Sequence, residues 1–442
     1  MPGGYRRYEP DQTLLLPPSL RDWLPEDHLI FFLSDAIDGM DLSVFEARYG
    51  DAGPGSQAFD PRMMLKVLVY AYASGTFSSR KIAAKLHEDV AFRVLAADNF
   101  PAHRTISDFR QRHLPEFQEL FVQVVRLARE VGLVQLGTVA VDGSKLKANA
   151  SKHKAMSYGR MKQEEQRLRQ EIQDLLARAT KADAAEDERY GRDRRGDELP
   201  AELARREDRL KTIQAARARR EARQREIDEK EGREPGDQDR SGKPGGPFKR
   251  AFGEPEATAQ ENFTDPDSRI MKRGSSGFEQ CYNVQIAVDE TERIIVAAHV
   301  TQNASDVKEL EPLIDQIEKN TGELPEKVLA DAGYRSESNL AGLEARGIDG
   351  FVAFGREKSG PPKEPGAGKE ATTRMFSKMK TPRGQENYRK RKYLAEPPFA
   401  WIKSVLGFGR FSVRGAEKVR GEWELACLAM NLKRMHRRMA WG

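Results

Sequence analysis

Apolar positions along the chain fall into three regimes. Up to about residue 133 they recur at helical spacing. Leu29-Ile-Phe-Phe-Leu33 forms a first apolar run, after a polar segment punctuated by Pro17, Pro18 and Pro25. Beyond a turn-rich break at Asp51 to Gln57, Asp60-Pro61 opens a helix with its proline in the first turn, and Met64, Leu65, Leu68, Val69 and Tyr72 supply its stripe up to Gly75. Ser78 or Ser79 caps a helix carrying Ile82 and Leu86, Val90 to Ala97 forms another, and Thr105 caps a third with Ile106 and Phe109.

From Met156 to Glu231 the pattern changes to dense charge with sparse apolar residues. Leu168, Ile172 and Leu175, then Leu203, Leu210 and Ile213, keep helical spacing, and Gly191, Gly196 and Pro200 interrupt them. This predicts two long helices folded back as an antiparallel hairpin. Their mixed charges lack a basic stripe, which favours a structural or assembly role over DNA reading. Gly232 to Gly246, rich in Gly, Pro and charge, reads as a linker.

The third regime is β-type. Thr138-Val-Ala-Val-Asp142 is a short apolar run closing on a carboxylate. Gln280 to Val288 and Arg293 to Val300 make a hairpin around Asp289 to Glu292. Leu310, Leu313, Ile314 and Ile317 mark a helix capped by Ser305 or Asp306 and ended by Thr321-Gly322. Val328-Leu-Ala-Asp331 is again a strand ending in aspartate, Glu337 to Arg346 a helix, and Gly350 to Phe354 a last strand. Glu357 to Gln385 reads as a Gly/Pro/Lys-rich excursion before a helical C-terminal part. Without the charged insertion, this order predicts an α/β mixed sheet with crossover helices.

Composition sharpens this picture only in places. The 442 residues suffice for about two to four domains. The net charge of +5 favours a polyanionic partner mildly, but Tyr388 to Lys403 and Lys433 to Arg438 are locally basic. Cys281 and Cys427, each in an apolar context, read as buried free thiols. The absence of a signal-like run or a membrane-length apolar stretch predicts a soluble, cytoplasmic protein without membrane contact.

The candidate chemistry is carried by Asp142, Asp331 and Glu396, the last within Tyr388-Arg-Lys-Arg-Lys-Tyr-Leu-Ala-Glu396-Pro-Pro-Phe-Ala-Trp-Ile-Lys403. Carboxylates on three elements repel one another unless a divalent cation neutralises them, and hard oxygen ligands select Mg²⁺ or Mn²⁺. Glu386, ten residues before Glu396, is the competing acid. Pro397-Pro398 and the seven-residue step to Lys403 favour Glu396 at a helix start, with the lysine on the same face. Thr105-Ile-Ser-Asp-Phe-Arg110-Gln-Arg112-His113 resembles the last helix of a helix-turn-helix, with Arg104 and Arg110 as candidate DNA contacts. The competing reading is a helical bundle with a solvated basic face.

Taken together, Thr105-Ile-Ser-Asp-Phe-Arg, Val141-Asp142-Gly-Ser, Asp331-Ala-Gly-Tyr and the glutamate segment resemble the DDE transposases of bacterial insertion sequences. Many members carry Tyr-x2-Arg-x3-Glu-x6-Lys. Here Tyr388-x2-Arg391 and Glu396-x6-Lys403 are present with one extra residue between them, so either Arg391 or Lys392 fills the cation position. The resemblance implies a ribonuclease H-like catalytic domain formed by 134–153 and 248–442, interrupted by a charged helical hairpin and linker at 154–247, after a helical N-terminal domain at 1–133. It also implies two metal ions on Asp142, Asp331 and Glu396, and DNA contacts near the cut from Tyr388, Arg391 (or Lys392) and Lys403. The activity implied is cleavage at the ends of a mobile element and joining of 3′-hydroxyl ends to target double-stranded DNA, by a homo-oligomer assembled on that DNA. Two rivals are an inactive DNA-binding or assembly relative and a metal nuclease without strand transfer.

Overall fold

In the computed structural model, residues 19–49, 58–190, 201–236, 250–274, 277–355, 364–366 and 368–439 are described. The proline pair at 17–18, the break at 51–57, the interruption at 191–200 and most of the expected linker and the start of the excursion lie outside them. The N-terminal region is helical as its periodicity predicts: α1 (Leu29–Asp38), α2 (Ser43–Glu46), α3 (Pro61–Ala73), α4 (Ser79–Glu88), α5 (Val90–Ala96), α6 (His103–Arg112) and α7 (Phe117–Glu130). Asp60 caps α3, its Oδ1 accepting from the amides of Arg62 at 2.7 Å and Met63 at 3.1 Å, with Pro61 at the first helical position. The start of α6 differs from expectation. It begins at His103, because Pro101-Ala102 sets extended backbone there, and no side chain caps it. Thr105 is inside the helix.

Among the described residues the strands are β1 (Thr138–Lys147), β2 (Ala155–Ser157), β3 (Gln260–Asn262), β4 (Arg269–Lys272), β5 (Phe278–Asp289), β6 (Ile295–Thr301), β7 (Lys327–Ala330) and β8 (Asp349–Val352). The main sheet runs β4-β5-β1-β7-β8, and β6 also pairs with β5. β1 is antiparallel to β5 and parallel to β7, and β7 is parallel to β8, so the sheet is mixed. In the centre of the sheet, Val139, Ala140 and Val141 are fully buried. Ala140 packs with Leu329, Phe351, Leu394 and Ala395 on one face, while Val139 and Val141 join the large core on the other.

Helices α10 (Leu310–Thr321), α11 (Glu337–Ala345), α12 (Glu370–Lys380), α13 (Pro382–Leu394), α14 (Glu396–Ala400) and α15 (Ala416–Met439) complete the domain, with a π-turn at Trp401–Val405. Two of these correct the sequence reading. The excursion expected up to Gln385 contains α12 and the start of α13, because Ala371, Met375 and Phe376 fall on one buried face. Neither Ser305 nor Asp306 caps α10, which starts at Leu310 after Glu309.

Between β2 and β3, α8 (Tyr158–Tyr190) and α9 (Ala201–Lys230) pack together over a small cluster of Met156, Met161, Leu168, Ile213 and Ala216, with Phe263 against it. At the far end of α9 the buried Asp228 accepts from Arg250 at 2.8 and 2.9 Å and pairs with Arg233 at 3.1 Å.

α15 ties the regions together. It packs on α1, α3, α7 and β6, so helical region and sheet share one core. Gly421 permits the closest approach, since a Cβ there would meet the Leu114 carbonyl oxygen at 2.2 Å. Trp423 Nε1 donates to the Gln285 carbonyl at 3.3 Å. The Asn431 amide exchanges two hydrogen bonds with the backbone of Ile295, at 2.9 and 2.8 Å, in the manner of one more strand residue. The buried Cys281 and Cys427 are free thiols. Among the described residues no helix is long and apolar enough to cross a membrane.

Candidate active site

Register brings the two aspartates together. The last β1–β7 pair is Ala140 with Leu329, and Asp142 and Asp331 each stand two residues further on. Two steps restore the same face, so both project toward the side covered by α13, from strands about 4.8 Å apart. Each carboxylate also accepts a local amide: Gly143 donates to Asp142 at 3.0 Å and Gly333 to Asp331 at 2.7 Å.

α13 and α14 cover that face. Arg391, buried to 13% exposure, reaches Asp142 Oδ1 at 3.5 Å and Glu396 Oε1 at 3.6 Å, and its guanidinium lies 5.9 Å from the Tyr388 ring centroid. Arg391 is thus the cation turned toward the acids, whereas Lys392 is exposed. Glu396 begins α14, with Pro397 and Pro398 in its first turn. Because α13 ends at Leu394 with only Ala395 between, the prolines do not separate Tyr388 and Arg391 from the glutamate. Lys403, in the π-turn, donates to Ser144 Oγ two residues beyond Asp142. Glu386 is exposed at the start of α13 and takes no part in this cluster.

The electrostatics match the geometry. Burial pushes the Asp142 carboxyl up to about 6; Arg391 opposes this, while Asp331 and Glu396 raise it further. Burial, with Arg273 nearby, brings the Lys403 ammonium down to about 8. Among the described residues no three His, Cys, Asp or Glu side chains already converge as a chelating group. The donor set nevertheless fits a hard divalent cation: the acids are oxygen donors, two of which raise the Asp142 pKa, and a guanidinium stands between Asp142 and Glu396 as a surrogate positive charge.

A second polar layer lies on the opposite face, and sequence reasoning missed it. Asp306 Oδ1 accepts from Lys145 at 3.1 Å, Asn283 at 2.6 Å and Gln285 at 2.7 Å. Tyr334, fully buried, donates to Gln285 Oε1. A Cβ at Gly143 would sit 2.4 Å from Gln285 Nε2 and 2.8 Å from Asp306 Oδ1, so any side chain there would push this polar layer out of place. The available signal is two amides, Asn283 and Gln285, at alternate positions within the apolar stretch from Cys281 to Val288.

The other expected DNA contacts lie elsewhere. Arg104 is exposed on α6. Arg110 is interior, donating to the Phe77 carbonyl at 2.7 Å, Tyr72 Oη at 3.3 Å and Ser79 Oγ at 3.3 Å. Tyr72 in turn donates to the fully buried Glu422 at 2.7 Å. Arg110 therefore ties the helical region to α15 and is not presented to phosphate.

A mixed α/β sheet whose neighbouring parallel strands carry Asp142 within β1 and Asp331 just after β7, behind a helical N-terminal region, is consistent with a ribonuclease H-like DDE domain. Residues 256–432 match the family described as Transposase DDE domain, and residues 18–112 match Transposase domain (DUF772). The chain is a DDE transposase of the insertion-sequence type. The DDE match includes Asp331 and Glu396 but begins after Asp142, which is separated from it in sequence by α8 and α9. No curated protein and no solved structure matches the chain.

Proposed function

We propose that this transposase hydrolyses a phosphodiester at each end of its element and joins the freed 3′-hydroxyls to target DNA at the single site built by Asp142, Asp331 and Glu396. The observation that carries the proposal is the register match of Asp142 and Asp331 on adjacent parallel strands, with Arg391 bridging Asp142 and Glu396. In this reading 134–153 and 248–442 form one ribonuclease H-like catalytic domain, interrupted by 154–247.

The three acids would hold two Mg²⁺ or Mn²⁺ ions, which when bound supply charge neutralisation at the scissile phosphate and activation of the attacking oxygen. The chain's own residues do the positioning. Arg391 and Lys403 face the acids from α13 and the π-turn and would grip the phosphates flanking the cut, with Tyr388 packed beside Arg391. Lys403, at about 8, remains largely charged at neutral pH. Hydrolysis and strand transfer are both in-line displacements at phosphorus and differ only in whether water or a 3′-hydroxyl attacks. One site therefore suffices for both, and no covalent protein intermediate is needed.

The test is to incubate the protein and Mg²⁺ with a duplex carrying the terminal sequence that flanks the coding region, together with supercoiled plasmid. End cleavage plus joined products is the expected result. Cleavage without joining would leave a nuclease, and binding without cleavage an inactive relative.

A further inference from the structure

Where α9 crosses the edge of the main sheet, four arginines meet around one buried glutamate. Arg219, Arg220 and Arg223 lie within one turn of α9, and Arg269 rises from β4 beneath them. Glu261, fully buried, is already taken by Arg219 at 2.8 Å and by Arg223. Arg223 and Arg269 converge on the same carbonyl, that of Pro266, at 3.1 and 2.7 Å, and the other Arg269 bonds go to the Ser268 carbonyl and the Gln302 amide oxygen. Asp267, the nearby acid, accepts from the Ala416 amide.

Arg220 is the exception among them. Its Nε is shielded from solvent and makes no hydrogen bond, and no ion pair reaches this side chain among the described residues. Burial and Arg223 lower Arg220, and burial, Arg223 and Arg220 bring Arg269 down to about 10; Glu261 opposes both shifts and Asp267 the second, without reversing either. One buried carboxylate, Glu261, thus serves several half-buried guanidiniums that depress one another, and leaving them short of negative charge is costly.

The position supplies the class of anion. β4 leads from Arg269 to Arg273, about 13 Å along an extended strand, and Arg273 is close enough to Lys403 to lower its pKa. Cations thus run along the sheet edge from the acids to α9. We propose that Arg220, Arg223 and Arg269 bind a backbone phosphate of the DNA that extends from the scissile bond held at Asp142 and Asp331. This rests on the function proposed above and gives α9 a direct DNA contact. The mixed composition of the helix pair conceals it, because the acids are spent on other partners.

The experiment is equilibrium binding of the full-length protein to the same terminal duplex, fluorescently labelled, between 50 and 200 mM salt, with thermal melting in parallel. Each phosphate contact contributes about 0.9 to the slope of log K against log salt, so wild type should lose about 3.5-fold more affinity over that range than Arg220→Gln. Arg220→Lys should restore the wild-type slope. Since Arg220 makes no hydrogen bond, neither substitution should lower the melting temperature. An unchanged slope in both Arg220→Gln and Arg220→Gln/Arg269→Gln overturns the proposal, as does a loss in Arg220→Lys equal to that in Arg220→Gln. If those variants bind like wild type while wild type cleaves, only the α9 contact fails. If wild type neither binds nor cleaves, the functional reading fails with it.

Discussion

Replacing Asp142 by Asn should stabilise the metal-free protein while abolishing its chemistry. The Asp142 carboxyl has a folded pKa of about 6 against an ordinary 3.8, so between these values the folded state holds a proton that the unfolded state has released. Stability therefore falls as pH rises through this window, and above it the full penalty is present. Two units correspond to about 3 kcal/mol at 1.36 kcal/mol each. Asparagine cannot ionise and keeps an oxygen for the Gly143 amide. With unfolding entropy of roughly 0.9 kcal/mol/K for a cooperative chain of this length, the gain is about 3 °C. Thermal unfolding in EDTA from pH 4 to 8 should give curves that coincide near pH 4 and separate by about 3 °C above pH 6.5. Added Mg²⁺ should raise the wild-type curve and leave the variant's largely unmoved. Cleavage by Asp142→Asn should drop below about 10% of wild type, since several kcal/mol of charge stabilisation is removed and each tenfold is only about 1.4 kcal/mol. End-DNA binding should persist. A variant no more stable than wild type at pH 7.5 would refute the reasoning about burial, and retained cleavage would refute the metal assignment.

Three further outcomes are expected. Glu396→Gln should lose Mg²⁺-dependent cleavage while Glu386→Gln, altered at an exposed position away from the acids, keeps it; the reverse pattern would reassign the third ligand. Arg110→Ala should cost about 3 to 5 kcal/mol in denaturant unfolding, as expected when a buried charged group loses its partners, and should leave the salt dependence of DNA binding unchanged; a shallower slope would restore Arg110 as a phosphate contact. Glu424, buried on α15 with a carboxyl pushed up to about 8, should make stability decline as pH rises from 4.5 to 8, and Glu424→Gln should flatten that decline in pH-dependent melting.

The sequence made the site legible where chemistry coincides with periodicity. Asp331 closes an apolar strand and Pro397-Pro398 marks a helix start at Glu396, whereas Asp142 ends only the apolar half of β1, which runs on to Lys147 because its polar part still pairs with β5. What remained hidden depends on tertiary neighbours. Nothing local distinguishes Arg110, spent on Tyr72, from the exposed Arg104 on the same helix. Asp306 reads as a cap because acids commonly precede helices, and only the folding of β1 and β5 past it supplies Lys145, Asn283 and Gln285 as partners. The helix α12 was obscured by the Gly/Pro/Lys composition around it, although its buried face at Ala371, Met375 and Phe376 is helical in period.

The Asn431 amide that mimics a strand at β6 belongs to an element synthesised after every strand of the sheet. While α15 is still being translated, β6 keeps an open edge, and β5 and α7 lack the helix that seals them. At about 5 to 20 residues per second, the 24 residues of α15 add roughly 1 to 5 s before closure. A nascent chain thus carries all three acids through the ribosome before it can hold them rigidly. A chain cut short by a stop or frameshift between Lys403 and Trp423 would retain the proposed cutting residues without the helix that closes the fold around them.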